Sequence, residues 1–105
     1  MTRIEQLLQF VEQDSTDLFS RYALGLEYVK TENFSEAENC FNYLIVNHPE
    51  YIGTYYQFGK LLQLLGKETA AKTIFEKGIE KTRQSDLKTF SELQNALTNM
   101  ELGLD

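Results

Sequence analysis

Displacing the sequence by 34 residues lays Tyr22 on Tyr56, Gly25 on Gly59, Ala37 on Ala71, Phe41 on Phe75 and Ile45 on Ile79. Leu24 then falls on Phe58, Tyr28 on Leu62 and Leu18 on Ile52, while the unmatched positions are mostly polar. Self-similarity at a period of roughly 20–50 residues marks a chain made of one supersecondary unit used repeatedly. Such a unit cannot bury its apolar face alone, so each copy must stack on a neighbour or be capped. The repeat defines two units, residues 18–51 and 52–85, leaving 1–14 and 86–105 as flanking segments within one domain spanning 1–105.

Inside each unit the apolar residues recur at helical rather than strand spacing. Ile4, Leu7, Leu8 and Val11 make a first stripe, and Leu18, Tyr22, Leu24, Tyr28 and Val29 a second that ends near Thr31. Ala37, Phe41, Leu44 and Ile45 make a third, which stops before Pro49 because the residue preceding a proline is pushed out of the α region. Tyr55, Phe58, Leu61, Leu62 and Leu65 make a fourth, closed by Gly66 as a helix-ending residue. Ala71, Ile74, Phe75 and Ile79 form the fifth; Leu87, Phe90, Leu93, Leu97 and Met100 form the sixth. Asn33 followed by Glu36 predicts a capping box at the start of the third helix. The expected fold is all-α, six helices in stacked antiparallel hairpins.

One position in each copy runs against this reading. Gly25 and Gly59 sit mid-helix, where glycine costs about 1 kcal/mol relative to alanine. A close approach of two elements, gained by removing the Cβ, can offset that cost through added dispersion contacts.

The 34-residue helix–turn–helix pattern resembles the tetratricopeptide repeat. The first copy carries Leu24-Gly25, Tyr28, Ala37, Phe41 and Pro49; the second carries Tyr55, Phe58-Gly59, Leu62, Gly66, Ala71 and Phe75. Arg21 departs from the family pattern by replacing a bulky aromatic, and Gly78 and Arg83 replace the late small residue and proline of the second copy. The resemblance implies a right-handed solenoid in which Gly25 faces Ala37 and Gly59 faces Ala71. It also implies that the N-terminal helix and residues 86–105 act as caps, the latter with a polar outer face of Lys88, Ser91, Gln94, Asn95 and Asn99.

Nothing in the chain assembles into a catalytic constellation. His48 is the lone histidine and Cys40 the lone cysteine, so neither a Cys/His metal cluster nor an intrachain disulfide can form. His48 reads as a turn residue and Cys40 as packing. Every glycine is isolated, which excludes a phosphate-cradling loop, and no cofactor is expected. Asn33-Phe34-Ser35 matches a glycosylation acceptor, but the N-terminus lacks a secretory apolar run, so Asn33 is read as a cap. The net charge is −6. Residues 1–50 hold three Lys and Arg against nine Asp and Glu, whereas 51–105 hold seven of each, so all the excess lies in the first half. That balance disfavours nucleic acid and anionic membranes as partners. Lacking also a run of roughly 20 apolar residues, the chain is expected in the cytoplasm.

By the resemblance, the function is non-catalytic binding of a peptide or protein segment in a concave groove. The repeat register assigns Phe19, Tyr22, Leu26 and Lys30 to that face from the first copy. The second copy contributes Tyr56, Lys60 and Gln63, and the last helix Lys88 and Asn95. Tyr22 and Tyr56 have packing between repeats as an alternative role. Homo-oligomerisation is the competing function, since Leu7, Leu8 and Phe10 spread too widely around the first helix for one neighbour to cover. Some relatives clamp the acidic C-terminal tails of heat-shock chaperones with inner lysine, asparagine and arginine side chains. Here Tyr22, Leu26, Gln57 and Glu92 stand at the matching positions, so an acidic tail is not an expected ligand.

Overall fold

The computed structural model describes residues 1–104, most of which lie in six helices joined by short turns. These are α1 (Arg3–Gln13), α2 (Leu18–Lys30), α3 (Phe34–Asn47), α4 (Gly53–Leu64), α5 (Glu68–Thr82) and α6 (Leu87–Leu102). No strand occurs among the described residues, and the all-α helical repeat architecture is the one the sequence predicts. The backbone groups into two compact units, Met1–Pro49 and the residues from Glu50 on.

In the first unit, α2 and α3 form an antiparallel hairpin and α1 packs on α2. Leu7 of α1, Leu24 of α2 and Cys40 of α3 are buried together, with Ile4, Val11, Ala23 and Tyr28 closing around them. Burial pushes the Cys40 thiol up to about 11, so at neutral pH it is a protonated packing group and not a nucleophilic thiolate. Ala37, Phe41 and Leu44 bury the remaining face of α3 completely. In the second unit, α4 and α5 repeat the hairpin and α6 packs on both. Its core is Tyr55, Phe58, Leu61 and Leu62 of α4, Ala71, Ile74, Phe75 and Ile79 of α5, and Leu93, Ala96 and Met100 of α6.

The helix ends explain why the elements start and stop where they do. The capping box lies at α1, where the Glu5 N–H donates to Thr2 Oγ1 at 3.1 Å and the Thr2 N–H to Glu5 Oε1 at 3.3 Å. The box expected at Asn33 does not form: Asn33 is the N-cap of α3 but its side chain accepts no cap bond. Its amide instead donates to Thr31 Oγ1 at 2.7 Å, which turns the side chain back toward the preceding helix. Asp17 caps α2 by accepting the Ser20 N–H at 3.0 Å and the Ser20 hydroxyl at 2.6 Å. Asp86 caps α6 through Thr89 in the same way, at 3.0 and 2.9 Å. These bonds hold both carboxyls below the usual carboxylate range. Each cap therefore supports its helix above the ordinary carboxylate pKa and weakens as the pH falls through the depressed one.

The two hairpin turns are the same motif with different residues. After α4, the Gly66 N–H donates to the Gln63 carbonyl at 3.0 Å and the Lys67 N–H to the Leu62 carbonyl at 2.8 Å. After α2, the Glu32 N–H donates to Val29 at 3.1 Å and the Asn33 N–H to Tyr28 at 2.8 Å. This is the Schellman arrangement, whose first residue past the cap must be left-handed. Gly66 has φ 76° there, and Glu32 has φ 62°. A side chain in this region is disfavoured by its Cβ, so Glu32→Gly is expected to stabilise the protein by about 0.5–1 kcal/mol. A urea melt checks it; a lowered midpoint would count against the strain.

The atoms nearest to the mid-helix glycines belong to aromatic rings, not to the alanines that the resemblance sets opposite them. A Cβ built on Gly25 would lie 2.7 Å from Phe41 Cε1 and 3.0 Å from its Cζ. One built on Gly59 would lie 2.6 Å from both Cδ1 and Cζ of Phe75, with Cε1 nearer still. Both rings are fully buried, so the missing methyl is the space the ring occupies. Gly78, a departure from the family pattern, is a third such point. There a Cβ would meet Tyr55 Cβ at 2.6 Å and Leu93 Cδ1 at 2.9 Å.

Arg21, the other departure, keeps the planar character of the aromatic it replaces. Its guanidinium lies 3.7 Å from the centroid of the Tyr43 ring, and Nη2 donates to the Ser15 carbonyl at 3.4 Å. Tyr43 Oη–H donates to the same carbonyl at 3.1 Å. A guanidinium can lie against a ring and still donate to a carbonyl through its planar fork, which a lysine ammonium cannot reproduce.

Candidate functional site

Within the second unit, α4 and α6 form the walls of an open depression of about 300 Å³ lined by Tyr56, Lys60, Glu92, Asn95, Ala96 and Asn99. The helical repeat explains the line-up. Tyr56 and Lys60 are one turn apart on α4, as are Asn95 and Asn99 on α6, so each pair presents two side chains along one helix edge. Phe58, Leu61 and Leu62 are buried on the other side of α4, and Leu93, Ala96 and Met100 hold α6 in place. The walls are therefore fixed by core packing while their rims stay polar.

Tyr56 and Lys60 are half-buried; Glu92, Asn95 and Asn99 are exposed. The set contains an aromatic face, one cation, one anion and two carboxamides, which can bind by hydrogen bonding, stacking and charge pairing. It contains no nucleophile–base pair, and among the described residues no three His, Cys, Asp or Glu side chains converge as metal ligands. Among the described residues no helix is long and apolar enough to cross a membrane.

The nine residues expected on a binding face are distributed as follows. Tyr56, Lys60 and Asn95 come together in the depression. Gln63 lies two turns along α4 from Tyr56 and is half-buried; Lys88 is exposed two turns before Asn95 on α6, outside the lining. In the first unit, Phe19 is 65% exposed at the start of α2 and Lys30 is exposed at its end. Leu26 and Tyr22 are half-buried between them. Tyr22 packs within its own hairpin, its ring centroid 6.3 Å from that of Phe41 at an interplanar angle of 54°, within the range of favourable tilted aromatic pairs.

Asn99 lines the depression although the repeat register did not place it on the binding face; Glu92, expected at an inner position where it would oppose an acidic ligand, lines it as well. The signal for Asn99 was present: it follows Asn95 by four residues on a helix whose buried seam is Leu93, Ala96 and Met100. The opposite faces of α6, with Lys88, Ser91 and Gln94, are exposed, as a terminal helix requires. The Lys72 ammonium of α5 pairs with Glu101 of α6 at 3.1 Å, a partner outside its own helix.

The tetratricopeptide repeat family model matches residues 52–80. Among solved structures, a tetratricopeptide repeat domain protein of Salinibacter ruber, determined in solution, is 41% identical with a TM-score of 0.80. That match covers 88% of this chain and 93% of the other. A crystal structure of a tetratricopeptide repeat domain protein from the same organism matches at 41% identity and a TM-score of 0.77, covering 85% and 99%. A Bordetella parapertussis protein matches at a TM-score of 0.83 and 24% identity, covering 98% and 90%, a likeness of fold alone. No curated protein matches the sequence.

Proposed function

The chain belongs to the tetratricopeptide repeat family, and from that premise we propose that it is a non-catalytic module that binds a peptide segment. The family role is protein–protein interaction in general; the finer reading places the ligand on the α4–α6 face. The observation that supports it is the convergence of Tyr56, Lys60 and Asn95 with Asn99 and Glu92 in one open depression. An amphipathic set of this kind suits a chain that offers both main-chain polar groups and side chains.

Selection from a phage library of random decapeptides tests the reading. Binders are expected, and they should bind the Asn95→Ala/Asn99→Ala variant at least about tenfold more weakly, a loss of about 1.4 kcal/mol. Absence of binders, or binders indifferent to the variant, removes the assignment.

Acidic C-terminal chaperone tails are excluded from the proposed ligands. A two-carboxylate clamp needs several charged or amide donors at once, since a carboxylate left unpaired in a groove is costly. Tyr22 and Leu26 supply none, and Glu92 stands where a cation is required. Calorimetric titration with such a tail peptide at physiological salt is expected to give no dissociation constant tighter than roughly 10 μM, about −7 kcal/mol.

Self-association is the second reading, favoured by α1, where Leu8 and Phe10 are 43% and 50% exposed on either flank of the buried Leu7. Light scattering across a concentration series separates the two: a monomer throughout leaves only the peptide-binding function.

A further inference from the structure

We propose that the α4–α6 depression takes an extended peptide segment bearing a lysine or arginine side chain, with Glu92 reading the cation. The inference rests on the peptide-binding reading above and specifies its ligand. Asn95 and Asn99 are four residues apart on α6, about 6 Å along the axis at about 1.5 Å per residue. An extended chain presents the same side every second residue, about 6.6 Å apart. The two carboxamides thus match the repeat of a strand lying along α6, and each offers a donor and an acceptor to one peptide group. Such contacts hold a main chain without selecting its side chains.

Selection falls to the charged groups. Lys60 is half-buried in the α4 wall and already has an interaction of its own, whereas Glu92 is exposed on the α6 wall. A cationic side chain meets the Glu92 carboxylate and, across the depression, the face of Tyr56, which attracts cations. For an acidic side chain the lining offers one cation, Lys60, which is already engaged.

The test uses the intact chain and two acetylated, amidated nonapeptides of leucine, threonine and alanine, one with two central lysines and the other with two central glutamates. Fluorescence anisotropy is expected to show the lysine peptide bound about fivefold more tightly, and the preference should fall below about twofold in Glu92→Gln. Asn95→Ala/Asn99→Ala should weaken both peptides alike. Equal or reversed preference, or a lysine preference that survives Glu92→Gln, overturns the proposal. If neither nonapeptide binds, the decapeptide selection decides. Binders enriched in lysine or arginine and sensitive to Glu92→Gln sustain the proposal; binders without cations overturn it while leaving the peptide-binding reading intact. No binders at all overturns both.

Discussion

Gly59→Leu is expected to abolish cooperative folding of the second hairpin, and even Gly59→Ala is expected to destabilise the protein by about 1–3 kcal/mol. On propensity alone alanine should help, by about 1 kcal/mol. Packing decides the sign. The new Cβ would sit 2.6 Å from Phe75 Cδ1 and Cζ, well inside the optimal carbon–carbon separation of about 3.5–4.0 Å. Phe75 is fully buried, so its ring cannot swing into solvent and α4 must move away from α5. Gly25→Ala should cost less than Gly59→Ala, because its closest approach, 2.7 Å to Phe41 Cε1, is the looser one. Urea melts of the alanine variants measure this ordering. The Gly59→Ala/Phe75→Leu double variant shows whether the ring is the cause, since shortening Phe75 should recover much of the loss as a coupling of about 0.5–3 kcal/mol. A Gly59→Ala protein as stable as the parent would mean that the ring yields and the packing argument fails.

That reversal shows where sequence reasoning stops. The presence of a close contact at Gly25 and Gly59 was legible, because a mid-helix glycine repeated at the repeat period needs a packing reason. Its partner was not. The repeat pattern puts both an alanine and a phenylalanine on the facing helix, and which of them lies nearest depends on helix crossing and ring rotamer, which periodicity does not encode. The helix caps divide in the same way. Asp17 and Asp86 precede helices and cap them, but Asn33 has a nearer hydroxyl in Thr31, and local competition of this sort is invisible to a spacing rule. Glu32 passed unnoticed because its left-handed backbone is imposed by the turn and not signalled by the residue type.

The candidate site was legible in outline. The repeat register brought out Tyr56, Lys60 and Asn95, since positions on one edge of consecutive helices follow from the period. Glu92 figured in the sequence only as an obstacle to an acidic ligand. Its place on the rim comes from the rotation of α6, which is set by Leu93, Ala96 and Met100 packing under α4 and α5. Leu97, expected in the same seam, is only half-buried, so α6 is turned from the position that the register of its apolar residues suggests.

Removing α6 by truncation after residue 85 is expected to have the second large effect. Leu93 is fully buried, and Ala96 and Met100 are nearly so; all three would leave, uncovering the α5 surface around Gly78 and the side of Tyr55 that packs there. A hairpin whose apolar face has lost its terminal cover is aggregation-prone. The truncated chain should therefore associate, or melt without a cooperative transition. Truncation also removes Glu92, Asn95 and Asn99 and with them one wall of the depression, so lost binding in that variant would not separate stability from recognition. Leu93→Ala does separate them. Deleting a fully buried leucine costs about 2–5 kcal/mol while leaving the exposed edge of α6 unchanged, so at a temperature where the variant is still folded a selected peptide should bind nearly as well as to the parent. Chemical denaturation measures the stability loss and anisotropy the binding. A truncated chain that stayed monomeric with an unchanged melt would show that α6 is not the cover of the second hairpin.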